Sequence, residues 1–171
     1  MKTKKKISIL VLFAFLNCLN YGAFAQGMKI VSPHPDLKFK ITRCEAAGNN
    51  VIIDYVIENL NTKDIDFHIA SGDDYGIGDF STAYDDEGNM YGKGKIKVNC
   101  GNSNLISTGF LDTKIPSEIP VKGKIQIEGI PESASLFKRL DLRAYSDDLG
   151  LDWRESKIRI TNLPIYREGD E

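Results

Sequence analysis

Polar and apolar positions alternate with a period of two over much of this chain. In residues 124–128 the apolar side chains occupy every second position, and residues 140–144 repeat the pattern. Because successive side chains of a strand project to opposite faces, this period predicts strands with one dry face and one wet face. Each such strand must cover a partner layer, which favours a sandwich or a small barrel over a buried parallel sheet.

Turn signals separate the alternating runs, and no long helical pattern interrupts them. The run at residues 51–60 has apolar side chains on both faces, which predicts a central strand, and the turn at 61–64 predicts a hairpin with the next run. The pattern predicts an all-β antiparallel sandwich of about seven to nine strands. The predicted strands cover residues 37–45, 51–60, 65–70, 80–85, 95–100, 105–110, 124–128, 140–144 and 157–161.

The first 25 residues have the pattern of an export signal. A lysine-rich start precedes an apolar run that ends near Leu19, and Ala23 and Ala25 are small residues of the kind a signal peptidase reads. We therefore predict a signal peptide over 1–25 and one domain over 26–171, with no transmembrane segment after cleavage. Lipidation of Cys18 is the alternative, disfavoured because the preceding Asn17 is larger than the usual small residue.

The charge balance excludes one class of partner. The whole chain has 22 Lys and Arg against 24 Asp and Glu, a formal net charge of −2. Loss of the four leader lysines would bring the net charge to about −6. Since nucleic acid requires a basic surface, we expect no nucleic-acid partner. The exported protein is expected in the periplasm or outside the cell.

Two cysteines remain after the leader, Cys44 and Cys100. Outside the cytoplasm such a pair is predicted to form a disulfide, although two separate buried thiols are the alternative. Cys100 continues the alternation of the apolar positions before it, so it is predicted to face the core. Cys44 is out of step with Ile41, so its burial requires a bulge or the opposite face of the strand. Two cysteines and scattered histidines do not match a zinc-ligand spacing.

Four features together resemble a known group of proteins. They are the exported N-terminus, the strand end at residues 55–59, the turn at 84–89 and the segment 119–123 that leads into further strands. They resemble small secreted bacterial immunoglobulin-like β-sandwich proteins of unknown function, of the exported lipoprotein or periplasmic type. The resemblance implies an immunoglobulin-like sandwich and supplies no catalytic residues. Trp153 follows both cysteines, unlike the tryptophan of antibody-type domains.

Acidic loops are the first candidate for a ligand site. Calcium requires six to eight oxygen ligands, often from two loops, and the loops of a sandwich cluster at its two ends. The alternative is that Asp and Gly simply form turns there. The candidate calcium ligands are Asp73, Asp74, Asp85, Asp86, Asp147 and Asp148.

Aromatic residues near these loops are a second candidate. Tyr75, Tyr84, Tyr91 and Trp153 are predicted to form a platform that stacks on a sugar or a partner protein, because aromatic rings provide rigid contact area. The alternative is that they fill the core, which is the usual place of aromatic residues in strands.

Catalytic patterns are weak in this sequence. His34 and His68 are the two histidines, and no G-x-S-x-G elbow accompanies them. The neighbouring carboxylates of Asp85 and Asp86 would point to opposite faces of a strand and could not share a substrate. We therefore expect no catalytic residues and no enzyme activity.

These observations predict an exported, non-enzymatic β-sandwich that binds a protein or a glycan at the cell envelope. A module that binds calcium or a glycan through the acidic and aromatic loops is the first alternative. A hydrolase, or an inhibitor of a hydrolase, is the second alternative.

Overall fold

The computed structural model describes residues 27–72, 80–152 and 154–169. Within these ranges, eleven strands form two antiparallel sheets around one core, so the predicted all-β sandwich is confirmed. The strands are β1 (Lys29–Val31), β2 (Leu37–Ala47), β3 (Asn50–Asn59), β4 (Ile65–Ala70), β5 (Thr82–Asp85), β6 (Met90–Tyr91), β7 (Ile96–Cys100), β8 (Phe110–Ile115), β9 (Val121–Glu128), β10 (Leu136–Tyr145) and β11 (Lys157–Pro164). The number exceeds seven to nine because short strands such as β1 and β6 add to the sheet edges.

Helical structure is limited in the same ranges. A single 3-10 turn at Asp147–Leu149 follows β10. No helix in the described part of the chain is long and apolar enough to cross a membrane.

The smaller sheet has four strands in the order β2-β3-β9-β7. The β2–β3 hairpin closes with Ala47 opposite Asn50, and Gly48 in its turn has a φ of 62°, a conformation that glycine adopts without strain. Every second residue of β3 from Val51 to Asn59 is buried. The predicted central position of this strand is confirmed, since β3 pairs on both edges.

The larger sheet has seven strands, with β1-β11-β10-β4-β8 as its main path. One edge of β10 pairs with β11, whereas the other edge pairs with β5 near its start and with β4 at its end. The β5–β6 hairpin therefore sits beside the start of β10. This confirms the tight turn that the sequence predicts between Tyr84 and Tyr91.

The predicted hairpin between residues 51–60 and 65–70 is wrong. Strand β3 pairs with β2 and β9 in the smaller sheet, whereas β4 pairs with β8 and β10 in the larger one. The chain crosses between the sheets after Asn59, whose buried side chain donates to the carbonyls of Lys63 and Ile115. Side-chain hydrogen bonds replace a strand ladder at this crossing.

The strand predicted at residues 105–110 is displaced along the chain. The structure places β8 at Phe110–Ile115, opposite β4. Before it, Ile106 makes only an isolated bridge to Val98 of β7. Residues 101–115 contain few alternating apolar positions, so the sequence did not define where this strand begins.

The predicted disulfide is not formed. Cys44 and Cys100 are both free and buried. A bulge at Thr42 shifts the register between Ile41 and Arg43 and turns Cys44 into the core, which is one of the two outcomes that its phase in the sequence allowed. The two cysteines lie on β2 and β7, the opposite edge strands of the smaller sheet. Three strand spacings separate them by about 14 Å, well beyond the Cα separation that a disulfide spans.

Candidate functional site

A recess of about 430 Å³ opens on the outer face of the smaller sheet. We call it the basic groove. Its volume is within the range of small-ligand sites in proteins. The basic groove is lined by Thr42, Asp54, Tyr55, Val56, Asn99, Gly101, Lys122, Gly123 and Lys124.

The alternation of strands β3 and β9 builds the centre of this groove. Asp54 and Val56 project outward from β3, and Lys122 and Lys124 project outward from β9. The sheet register places Val56 opposite Lys122 and Asp54 opposite Lys124. Beyond the end of β7, Gly101 has no side chain to cover the groove. A short apolar residue therefore forms the floor, and charged residues form the walls.

A close contact in the core holds these strands together beneath the groove. The Tyr55 ring stacks on Phe39 at 4.7 Å, and its hydroxyl donates to the carbonyl oxygen of Asn99 at 2.9 Å. The ring passes over Gly123, where an added Cβ would lie 2.2 Å from Tyr55 Cζ. Only glycine leaves room for this ring, so Gly123 couples β9 to β3 and β7.

Most charged side chains on this face are paired. Lys38 lies 3.3 Å from Glu58, Lys97 lies 2.5 Å from Glu128, and Arg43 lies 2.6 Å from Asp54. Three lysines on this face form no ion pair with a described residue. They are Lys40, Lys122 and Lys124, and they surround Val56.

The position of Arg43 explains why Lys124 remains unpaired. Asp54 stands directly opposite Lys124, but its Oδ2 accepts a hydrogen bond from Arg43 Nε at 2.6 Å. The bulge at Thr42 brings Arg43 opposite Asp54. The hydrogen bond from Arg43 to Asp54 raises the pKa of the arginine, and Glu45 adds to the effect. The carboxylate that could neutralise the lysine is thus engaged by the arginine.

Two polar residues on the rim are held in place by the main chain. The Thr42 hydroxyl donates to the carbonyl oxygen of Asp54 at 3.1 Å. Asn99 Nδ2 donates to the carbonyl oxygen of Ser103 at 2.5 Å. Both side chains therefore reach the groove with fixed orientations.

The acidic residue Asp85 organises a turn. Its side chain is 2% exposed and accepts hydrogen bonds from the amides of Glu87 and Asn89, from Asn89 Nδ2 and from the Tyr91 hydroxyl. Burial opposes its ionisation, but the hydrogen bonds from Asn89 and Tyr91 lower its pKa below the ordinary value. These bonds engage both carboxylate oxygens in the β5–β6 hairpin.

The adjacent Asp86 ties that hairpin to another loop. Its carboxylate accepts hydrogen bonds from the amide and the hydroxyl of Ser135, just before β10. Burial opposes ionisation here too, yet the bonds from Ser135 lower the pKa of Asp86. Asp86 is exposed whereas Asp85 is buried, so the two carboxylates point to opposite sides, as the alternation predicts.

The remaining candidate calcium ligands lie elsewhere. Asp147 and Asp148 follow the end of β10, and Asp148 Oδ2 accepts from the Asp66 amide at 2.7 Å. Asp85 stands opposite Phe137 at the start of β10. The length of this strand keeps the two acidic groups about 30 Å apart, so they do not meet. Asp73 and Asp74 lie outside the described residues, among which no group of three or more acidic, His or Cys residues could hold a metal.

Two of the four residues of the predicted aromatic platform lie within the described residues, and they do not share a surface. Tyr91 is 5% exposed, and its ring meets Phe137 edge-on, so it belongs to the core rather than to a binding surface. Tyr84 lies on the outer face of the larger sheet beneath the guanidinium of Arg139, 4.7 Å from the ring centre. Tyr75 and Trp153 lie outside the described residues.

The two histidines are engaged on separate segments. His68 Nδ1, on β4, lies 2.5 Å from Asp112 Oδ1 of β8. His34 Nδ1, before β2, accepts from the Asp36 amide at 3.2 Å. Neither histidine lines the basic groove.

Sequence reasoning missed the basic groove. The lysines at positions 40, 122 and 124 alternate with core residues, so they are typical of an ordinary wet face. Whether Lys124 is paired depends on Arg43 and Asp54, which only the sheet register brings together. The bulge implied by the phase of Cys44 was the one available signal, since it sets which residue faces Asp54.

No protein-family model matches this chain, and no curated protein sequence matches it. Among solved structures, the chain is similar to a family 123 glycoside hydrolase from Clostridium perfringens, which was studied for glycolipid glycan hydrolysis. The identity is 14% and the TM-score 0.42, and the match covers 83% of this chain but 27% of the hydrolase. A likeness this weak carries no argument about function.

Proposed function

We propose that this chain is an exported, non-enzymatic binding module that holds an anionic macromolecule of the cell envelope in its basic groove. The observation that carries the proposal is a 430 Å³ recess lined by two unpaired lysines, Lys122 and Lys124. A third unpaired lysine, Lys40, stands opposite the floor residue Val56. The full chain has a formal net charge of −2, so this local excess of positive charge stands out from the rest of the molecule.

Electrostatics supports this role for the groove. Three ammonium groups around Val56 repel one another, and a bound anion would relieve that repulsion. A concave site lined by one sign of charge also raises the local concentration of oppositely charged ligands. The proposed ligand therefore gains both in affinity and in its rate of association.

The composition of the lining supports a binding role over a hydrolytic one. Among the described residues, the groove contains one carboxylate, and Arg43 already engages it. Glycoside hydrolysis generally requires two carboxylates that flank the scissile bond. The Thr42 hydroxyl donates to the carbonyl oxygen of Asp54, and the lining contains no histidine.

A paired substitution tests the site. Lys122→Gln/Lys124→Gln removes two charges from the groove, and Lys63→Gln/Lys138→Gln removes two exposed lysines elsewhere as the matched control. We expect the exported protein to bind polygalacturonate by calorimetry. We expect the groove variant to bind about tenfold more weakly or worse, a loss of at least about 1.4 kcal/mol. Affinity should fall as salt is raised.

Two results would reject the proposal. One is the absence of binding to every anionic polymer tried, with carboxylate, sulfate or phosphate groups. The other is an equal loss of affinity in the groove variant and in the control variant, which would place the interaction in the overall charge and outside the groove.

Export of the protein is tested separately, by the position at which the leader is cleaved. Intact mass of the protein recovered from the host envelope or medium should correspond to a chain that begins at Gln26. A mass that retains the leader would contradict export by cleavage, and a mass increased by lipid on a chain beginning at Cys18 would favour the lipoprotein alternative.

A further inference from the structure

We infer that the ligand of the basic groove is an acidic glycan, a polymer whose sugar rings carry both carboxylates and free hydroxyls. This inference rests on the proposed function and adds the chemical class of the ligand. It follows from the hydrogen-bonding groups that the groove leaves unused, from their spacing and from the apolar floor.

The groove offers hydrogen-bond acceptors as well as cations. Asp54 Oδ2 is engaged by Arg43, and Oδ1 accepts no hydrogen bond from a described residue. Asn99 uses its Nδ2 on the carbonyls of Gly101 and Ser103, which leaves Oδ1 as its remaining polar atom. A complementary ligand must therefore donate hydrogen bonds in addition to carrying negative charge.

Donors and anions must also lie close together in the ligand. Asp54 and Lys124 are directly opposite each other on neighbouring strands, where Cβ atoms are about 5 Å apart. A uronate ring carries its carboxylate and its hydroxyls within a similar distance. A polyphosphate has no donors at neutral pH and would place charge beside the Asp54 carboxylate. Polyglutamate has only main-chain N–H donors, and three bonds of each side chain separate its carboxylate from the main chain.

The floor of the groove favours a ring with an apolar face. Val56 is half-buried and stands between Lys40 and Lys122 in the register of the sheet. The C–H face of a sugar ring can pack on this side chain while its substituents reach the walls. A phosphate chain has no such surface.

The experiment compares four polymers on the exported protein. They are oligogalacturonate, polyglutamate, polyphosphate and neutral dextran, each titrated by calorimetry at the same ionic strength. We expect oligogalacturonate to bind at least about tenfold more tightly than the other three, and Lys122→Gln/Lys124→Gln to abolish this preference.

A second comparison isolates the acceptor. Removal of Asp54 alone would release Arg43 as an additional cation, and without Arg43 the Asp54 carboxylate could pair with Lys124. The reference is therefore Arg43→Gln/Lys124→Gln, and the test variant adds Asp54→Ala. We expect the test variant to lose about tenfold in affinity for oligogalacturonate and to gain affinity for polyphosphate, because the carboxylate accepts from hydroxyls and repels phosphate. Thermal melts of both variants check that they fold.

The outcomes separate this inference from the proposed function. Equal, lysine-dependent binding of all three polyanions would overturn the glycan inference and leave an anion-binding groove. Tighter binding of polyglutamate would overturn it in favour of an acidic protein. If no polyanion binds, or if dextran binds as tightly as oligogalacturonate, both the inference and the proposed function fail.

Discussion

The outer faces of the two sheets use similar charged residues in different ways. On the larger sheet, Asp141 of β10 is 6% exposed and accepts two hydrogen bonds from Arg159, at 2.7 and 3.0 Å. Arg139 and Lys157 lie 3.5 and 3.6 Å from the same carboxylate. We call these four residues the Asp141 cluster. The lysines of the basic groove have no such central carboxylate.

The charges of the Asp141 cluster pair with one another and stabilise the larger sheet. Burial opposes ionisation of Asp141, but Arg159, Lys157 and Arg139 together lower its pKa below the ordinary value. Arg159 gains in turn, since its hydrogen bonds with Asp141 raise its own pKa. The cations around the buried Asp141 carboxylate join strands β10 and β11. The lysines of the basic groove have no such carboxylate between them and remain free to contact a ligand. The presence of a central carboxylate therefore separates this structural face from the face that we propose binds a ligand.

The largest effect on stability is expected from Gly123→Ala, which disturbs the contact beneath the basic groove. The new Cβ would meet the Tyr55 ring at 2.2 Å and the Asn99 carbonyl oxygen at 2.7 Å. We expect a loss of about 3 kcal/mol in the free energy of unfolding, measured in urea, because the core must shift to admit the methyl group. Gly48→Ala, in open space at a positive φ, is the control and should cost less. Equal losses would contradict the contact.

The next largest effect is expected from Asp141→Asn. Three cations lose their shared carboxylate, and we expect a loss of about 2 kcal/mol in the free energy of unfolding. The value is below that of a fully buried pair because the Arg159 side chain is 38% exposed and water screens it. Asp54→Asn on the groove face should cost less in the same urea titration. The comparison fails if the two substitutions are equally destabilising.

Acid should destabilise the fold through Asp141 and Asp85. Asp141 and Asp85 have lowered pKa values in the folded state, so the unfolded chain binds protons first as the pH falls. Their contribution to stability is complete above the ordinary Asp pKa of about 3.9 and is lost as pH falls through the lower folded values. Melts from pH 5 to 2 should therefore show a steep decline that is shallower in Asp141→Asn. An unchanged slope in that variant would reject the assignment.

The smallest effect is expected from Lys122→Gln/Lys124→Gln in the absence of ligand. These lysines stabilise nothing by pairing, so their removal should leave the free energy of unfolding unchanged or raise it by about 0.5 kcal/mol. Any gain should shrink in high salt, which screens their repulsion. A clear destabilisation would mean that the lysines serve the fold, and the groove would then resemble the Asp141 cluster.

Several features of the fold follow from short stretches of sequence. The run around Tyr55 has apolar residues on both faces and is central in its sheet. The phase of Cys44 predicted either a bulge or a place on the opposite face of the strand, and a bulge occurs at Thr42. The turn between Tyr84 and Tyr91 forms a hairpin. Each prediction depends on residues within one or two strands, where local geometry decides the outcome.

Other features depended on which strands become neighbours. The hairpin predicted after residue 60 fails because the chain crosses to the other sheet at Asn59. The disulfide fails because two strands separate Cys44 from Cys100. Tyr91 belongs to the core since its hydroxyl reaches Asp85 there. None of these distances is encoded in the spacing along the chain.

By itself, the sequence determined the class of the fold and the inward face of its alternating strands, because the period of two is a local property of a strand. It also determined that lysines 40, 122 and 124 face water. Only the tertiary structure decided which charges are neutralised. Arg43 reaches Asp54 across a hairpin, and Lys124 faces the same carboxylate from a strand far along the chain. Charge pairing acts through space over a few ångströms, so the register of the assembled sheet left these lysines available to a ligand.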